Sequence, residues 1–133
     1  MRRHLGVICA SIFFLLHGCD YIITGKMIKE VRMLPYPEPA KPTNIDNIVK
    51  KYIPIGISRK EAKDILVAEG FNIFEQNKAI DNCADCDTFR VIASYEHIPL
   101  FMYVYDYAIV VHVGFRNGRV AILQGLYFRG VFL

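Results

Sequence analysis

The hydrophobic period of the chain changes once, at Gly70, and that change limits the architecture more than any other feature. Before it, apolar residues recur at helical spacing: Ile45, Ile48 and Val49 follow Asn44, and Ala62, Ile65 and Leu66 follow Ser58. After it they alternate, as they do along half-buried strands. Asn44 is expected to cap a short helix that runs to about Tyr52 and is ended by Pro54. Ser58-Arg59-Lys60-Glu61 reads as a capping box, and Gly70 supplies a left-handed terminal residue, so a second helix is predicted over 59–69. The stretches Phe71–Glu75, Thr88–Tyr95 and Leu100–Phe115 are rich in β-branched and aromatic residues and read as strands. Arg116-Asn117-Gly118-Arg119 carries the Asn-Gly pair favoured by a type I′ turn, so Val120–Phe128 is predicted to return antiparallel.

This order predicts an α+β fold, with two N-terminal helices packed on one face of a three- to four-stranded antiparallel sheet. In the long strand Phe101, Tyr103, Tyr105, Tyr107, Ile109, Val111, Val113 and Phe115 share the expected core face. Met102, Val104, Asp106, Ala108, Val110, His112, Gly114 and Arg116 share the other. That face is still rather apolar, so it is either covered by the N-terminal segment or left open for docking.

The first residues have the order of an export signal: a basic start, Met1-Arg2-Arg3-His4, an apolar run from Leu5 to Leu16, then His17-Gly18-Cys19. The apolar run is too short for a helix across the hydrocarbon core, which takes about 20 residues. Leu16-His17-Gly18-Cys19 resembles the bacterial lipobox, which implies cleavage before Cys19 and acylation of that cysteine. An ordinary secretory signal or an uncleaved anchor are the alternatives. Acyl chains convert a soluble domain into an anchored one, each buried methylene contributing about 0.8 kcal/mol. Asp20 resembles the residue that retains lipoproteins in the inner membrane of enteric bacteria; the choice between inner and outer membrane stays open.

Prolines at 35, 37, 39 and 42 favour an extended conformation, so residues 19–43 read as acylated cysteine plus tether, or else as a partner-docking peptide. Ile22, Ile23, Ile28 and Val31 ahead of the prolines can pack on the domain or form a short helix. The folded domain is expected over 44–133. Removing 18 of 133 residues leaves 115, enough for one domain, and takes the formal charge from +3 to +1 with the loss of Arg2 and Arg3. A balance so close to neutral argues against a nucleic-acid partner.

Ile55-Gly56-Ile57-Ser58-Arg59-Lys60-Glu61-Ala62 through Leu66, then Gly70-Phe71, resembles the signature of BamE-type (SmpA/OmlA) small lipoproteins. Val110 to Val120, with His112-Val113-Gly114-Phe115-Arg116-Asn117-Gly118, is similar to that family's final hairpin. The resemblance covers about 44–125. It implies a fold like that of β-lactamase-inhibitor proteins and, by analogy only, a place in an outer-membrane assembly complex.

The segment densest in reactive side chains is Asp81-Asn82-Cys83-Ala84-Asp85-Cys86-Asp87. Three aspartates would raise a thiol pKa, and strand-forming residues follow, so Cys83 and Cys86 read as a structural disulfide of an oxidising compartment rather than a redox pair. Two cysteines are half a zinc site, and the aspartate spacing matches a calcium loop poorly. His97 and His112 lack an evident nucleophile nearby, and Glu96-His97 is an acid/base pair only in principle. No catalytic residue, metal, cofactor or small-molecule substrate is expected.

The expectation is a lipid-anchored periplasmic interaction module, or accessory subunit of an envelope complex, that binds an envelope protein through Asp85, Asp87, Asp106, His112 and Arg116, or through the edge strand. The alternative is an inhibitor or immunity lipoprotein whose acidic loop enters the active site of a hydrolase or toxin. Globomycin, which blocks the lipoprotein signal peptidase, is expected to accumulate a precursor retaining residues 1–18; unaltered processing would remove Cys19 as the lipidation site.

Overall fold

The computed structural model describes residues 25–98 and 106–130. Their order is α1 (Lys26–Arg32), β1 (Thr43–Asn44), α2 (Asp46–Tyr52), α3 (Arg59–Glu69), β2 (Asn72–Gln76), β3 (Arg90–His97), β4 (Tyr107–Arg116) and β5 (Arg119–Arg129). The strands form one antiparallel sheet in the order β1-β5-β4-β3-β2. The class is α+β, but the expected arrangement is corrected: five strands carry three short helices, instead of two helices on a three- to four-stranded sheet.

Of the two additional elements, α1 falls within 19–43 and β1 straddles its end. α1 has seven residues and no side-chain cap of its own, too short to persist without tertiary support. Met27, Ile28 and Val31 supply that support, each fully buried. Its N-terminus is capped from a distance: Glu69 Oε2 accepts the Met27 N–H at 2.8 Å, and the Glu69 carbonyl accepts the Gly25 N–H at 3.0 Å. A Cβ on Gly25 would lie 2.1 Å from that carboxylate, so the approach requires glycine. β1 is only two residues long and is set by pairing Thr43 with Tyr127 and Asn44 with Leu126. The proline run therefore joins α1 to β1, and Pro37 within it is buried.

The two helices read from the sequence are present, but α2 is not capped by Asn44: its N-cap is Ile45, with no side-chain cap, and Asn44 pairs in β1 instead. Ser58 and Glu61 make the reciprocal capping box, and Gly70 ends α3 in the left-handed region at φ 103°. The final hairpin turns through Asn117 and Gly118, both at positive φ, as a type I′ turn requires. Gly114 then pairs with Ile122 but Phe115 pairs with Val120. The extra residue is a β-bulge that changes the phase of β5, so Val120 and Leu123, three apart, are both buried in the core.

The helices and the inward sheet residues form one core. Tyr107, Ile109, Val111, Val113 and Phe115 are buried on the face assigned to them; Phe101, Met102, Tyr103, Val104 and Tyr105 lie outside the described residues. α2 sits on Gly125 of β5, where a Cβ would meet Val49 Cγ2 at 2.7 Å and Ile45 Cγ1 at 2.8 Å. The Ile45 N–H donates to the Gly125 carbonyl at 2.9 Å, and Asp46 Oδ1 accepts the Gly125 N–H at 2.7 Å. Further along β5, Gly56 N–H donates to the Val120 carbonyl and Val120 N–H to the Ile57 carbonyl. The outer edge of β5 is thus occupied in stretches by β1, the start of α2 and the segment before α3, whereas among the described residues β2 pairs on one side only.

Gly125→Ala is expected to lower stability by about 1–3 kcal/mol, because the new methyl must displace α2 or strain the sheet. Urea unfolding measures it; an unchanged midpoint would mean that α2 shifts without cost.

Candidate functional site

The five residues expected to bind a partner fall at three places. Asp85, Asp87 and Arg116 converge at the β4–β5 turn; His112 lies mid-sheet on the outer face; Asp106 lies at the opposite end, beside His97. The sequence placed Asp85 and Asp87 in one loop, and the fold sets that loop against the turn.

There Asp87 makes the principal connections. Its Oδ1 accepts the Asn117 N–H at 3.0 Å and its Oδ2 the Gly118 N–H at 2.9 Å. Its own N–H donates to the Phe115 carbonyl at 2.7 Å. One carboxylate therefore satisfies both amides of the tight turn. Arg116 Nη2 donates to Asp85 Oδ1 at 2.7 Å, and this guanidinium holds the Asp85 carboxyl below the usual carboxylate range. The Cys83 and Cys86 sulfurs are at bonding distance, 1.97 Å. Asp85 and Asp87 thus join the acidic loop to the sheet, while the disulfide closes the loop on itself. They are first structural contacts, and Arg116 is engaged with them.

The same loop partly answers what covers the outer face. Ile80 is 3% exposed; a Cβ on Gly114 would meet Ile80 Cγ2 and Ile122 Cγ2 at 2.6 Å each. The loop therefore closes over the turn end of that face, while α1 packs with the helices in the core on the other side. Beyond Ile80, the register aligns Phe74, Ile92, His112 and Gln124 in one row, and Ser94, Val110 and Leu126 in the next. Phe74 is 56% exposed and Ile92, Val110 and Leu126 are half-buried. Alternation along 71–75 would have singled out Phe74, since Phe71 and Ile73 face the core and Phe74 does not.

At the far end, His97 Nδ1 and Asp106 Oδ1 are 2.8 Å apart, and the Asp106 N–H donates to the His97 carbonyl at 3.0 Å. The His97 ring stacks on Tyr107 with centroids 5.0 Å apart. The Asp106 carbonyl accepts from the Tyr36 hydroxyl and from Gly130 N–H. Glu96, by contrast, pairs in the row of Ala108 and Phe128 on the outer face, so the partner of His97 is Asp106 and not its sequence neighbour.

Among the described residues no group of three or more His, Cys, Asp and Glu is arranged to hold a metal ion. No helix among them is long and apolar enough to cross a membrane. No family model, curated protein or solved structure matches the chain.

Burial pushes the His112 imidazole below its ordinary value of 6.5; the Arg90 charge adds to this and Asp81 opposes it. The unfolded chain therefore binds a proton on this side chain at a pH where the folded chain does not, and stability falls as pH drops below 6.5. His112→Gln is expected to flatten the loss of stability as pH drops below 6.5. Equal slopes in urea titrations of the two proteins would show that the site does not disfavour the charged ring.

Proposed function

We propose that this chain is a lipid-anchored bacterial envelope protein that acts as a non-enzymatic interaction module or accessory subunit of an envelope complex, through the outer face of its sheet. Anchoring is supported by the basic start, the short apolar run and Leu16-His17-Gly18-Cys19. The observation that carries the interaction surface is Phe74, 56% exposed in a row with Ile92 and His112. A large apolar side chain on a broad, half-apolar sheet face fits the core of a protein interface, and the polar residues Gln76, Arg90, Ser94 and Gln124 flank it in the register. Because Asp85, Asp87 and Arg116 bond to one another or to the turn, the surface is centred on Phe74 and His112, with the acidic loop as its rim. The BamE-type motifs support an envelope role and are compatible with an assembly complex.

One observation favours the inhibitor reading. The loop at 81–87 is held by the disulfide and by Asp87, while Asp81 and Ala84 remain exposed. A loop ordered before binding spends little free energy on immobilisation, which is what an inserting inhibitor loop needs.

Affinity purification of the intact lipoprotein from detergent-solubilised membranes tests both. A stoichiometric envelope protein that is lost with Phe74→Asp, at an unchanged unfolding midpoint, is the expected result. Retention of the partner by that variant would move the interface elsewhere, a co-purifying hydrolase would favour the inhibitor reading, and the absence of any partner would overturn the module.

A further inference from the structure

The distance between Cys19 and the first fixed residue is short. Gly25 is held by its N–H on the Glu69 carbonyl, and α1 begins at the next residue. Five residues lie between Cys19 and Gly25, and covalent geometry limits the six steps to about 20 Å in any conformation. The proline run cannot lengthen the connection, since it joins α1 to β1. A chain acylated at Cys19 therefore has its domain against the bilayer, and the remaining question is which surface meets the lipid.

The two ends of the sheet differ in chemistry. The β4–β5 turn is flanked by exposed Arg116, Arg119 and Asp85 and, where Arg59 N–H meets the Gly118 carbonyl, by the charged first turn of α3. At the opposite end Met33 is 87% exposed, Ile98 57% and Tyr36 48%. The Arg32 guanidinium lies 5.8 Å from the Tyr107 ring centroid and that of Arg129 lies 5.2 Å from Tyr36. Exposed aliphatic tips beside tyrosine and arginine suit the headgroup boundary, where apolar groups enter and the polar ends stay wet. Met33 follows directly on α1, whose seven residues span about 10 Å, so this end lies within the reach of the anchor.

We propose that the end of the domain bearing Met33, Tyr36 and Ile98 rests on the lipid bilayer that holds Cys19, with the β4–β5 turn directed away from it. The docking rests on the lipoprotein reading, and the test separates the two. Met33→Cys and Lys60→Cys each place one reactive thiol in the acylated chain, because Cys19 is acylated and Cys83 and Cys86 are joined. Each full-length processed protein carries a thiol-linked fluorophore in vesicles of phosphatidylethanolamine and phosphatidylglycerol containing nitroxide-labelled lipid. Quenching at position 33 is expected to exceed that at position 60 by about threefold or more, given an interfacial depth of about 5–10 Å. Equal quenching on membrane-bound protein overturns the docking and leaves the anchor standing. Wild-type protein in the soluble fraction, or Cys19→Ser in the membrane at wild-type level, overturns the anchor and the docking with it.

Discussion

The seating of α2 on Gly125 is the constraint on which the rest of the fold depends. A strand in mid-sheet normally offers its backbone to another strand, but β1 ends at Asn44, and the next two residues take over its role. Ile45 donates its N–H to Gly125 and the Asp46 carboxylate accepts from it, so a helix begins at the position where a strand would have continued. This exchange is possible because Gly125 has no side chain to hold Ile45 and Val49 away. The close contact brings α2 onto the core, and Lys51 and Tyr52 at its end reach Glu30 of α1. α1 is held at its other end by Glu69 of α3, so all three helices are linked through contacts that start from one glycine.

Where local chemistry suffices, the sequence was readable. Ser58 and Glu61 need only each other to start a helix, Gly70 needs only its own backbone freedom to end it, and Asn117-Gly118 carries its turn type in two residues. The same holds for the buried face of β4, where alternation alone separates Ile109, Val111 and Val113 from their neighbours. α1 and β1 are of another kind. The cap of α1 comes from a residue 42 positions away, and β1 consists of two residues defined by Tyr127 and Leu126. Ile28 and Val31 marked a segment able to pack on the domain or form a short helix, and they do so in α1. No window of sequence, however, contains the distant cap or the pairing of β1, and the prolines between α1 and β1 suggested an extended link to the membrane instead.

The candidate site shows the same division. Clustered charge at 81–87 marked a segment with a task, and the fold gives that task a structural component: Asp87 binds the turn amides and Asp85 takes Arg116. A partner-seeking acid and one that completes a hairpin look alike in sequence, because the deciding partner is about thirty residues away. His97 likewise had a carboxylate neighbour in Glu96, but strand alternation turns the two apart and brings Asp106 across the strand end. The bulge beyond Gly114 is equally hidden from periodicity, since it shifts the phase within a single apolar run.

The two margins of the sheet are unequal, and this sets what the protein can join to. Along β5, Thr43, Asn44, Ile45, Asp46, Gly56 and Ile57 already occupy backbone positions that a foreign strand would need. Among the described residues β2 has no strand beyond it. Among the described residues the sheet has one receptive margin, so two copies that met through β2 would each use that side and close into a pair. Open-ended growth, the usual hazard of an exposed strand, is thereby opposed along the β5 margin by the chain's own backbone, without any need for repulsive charge.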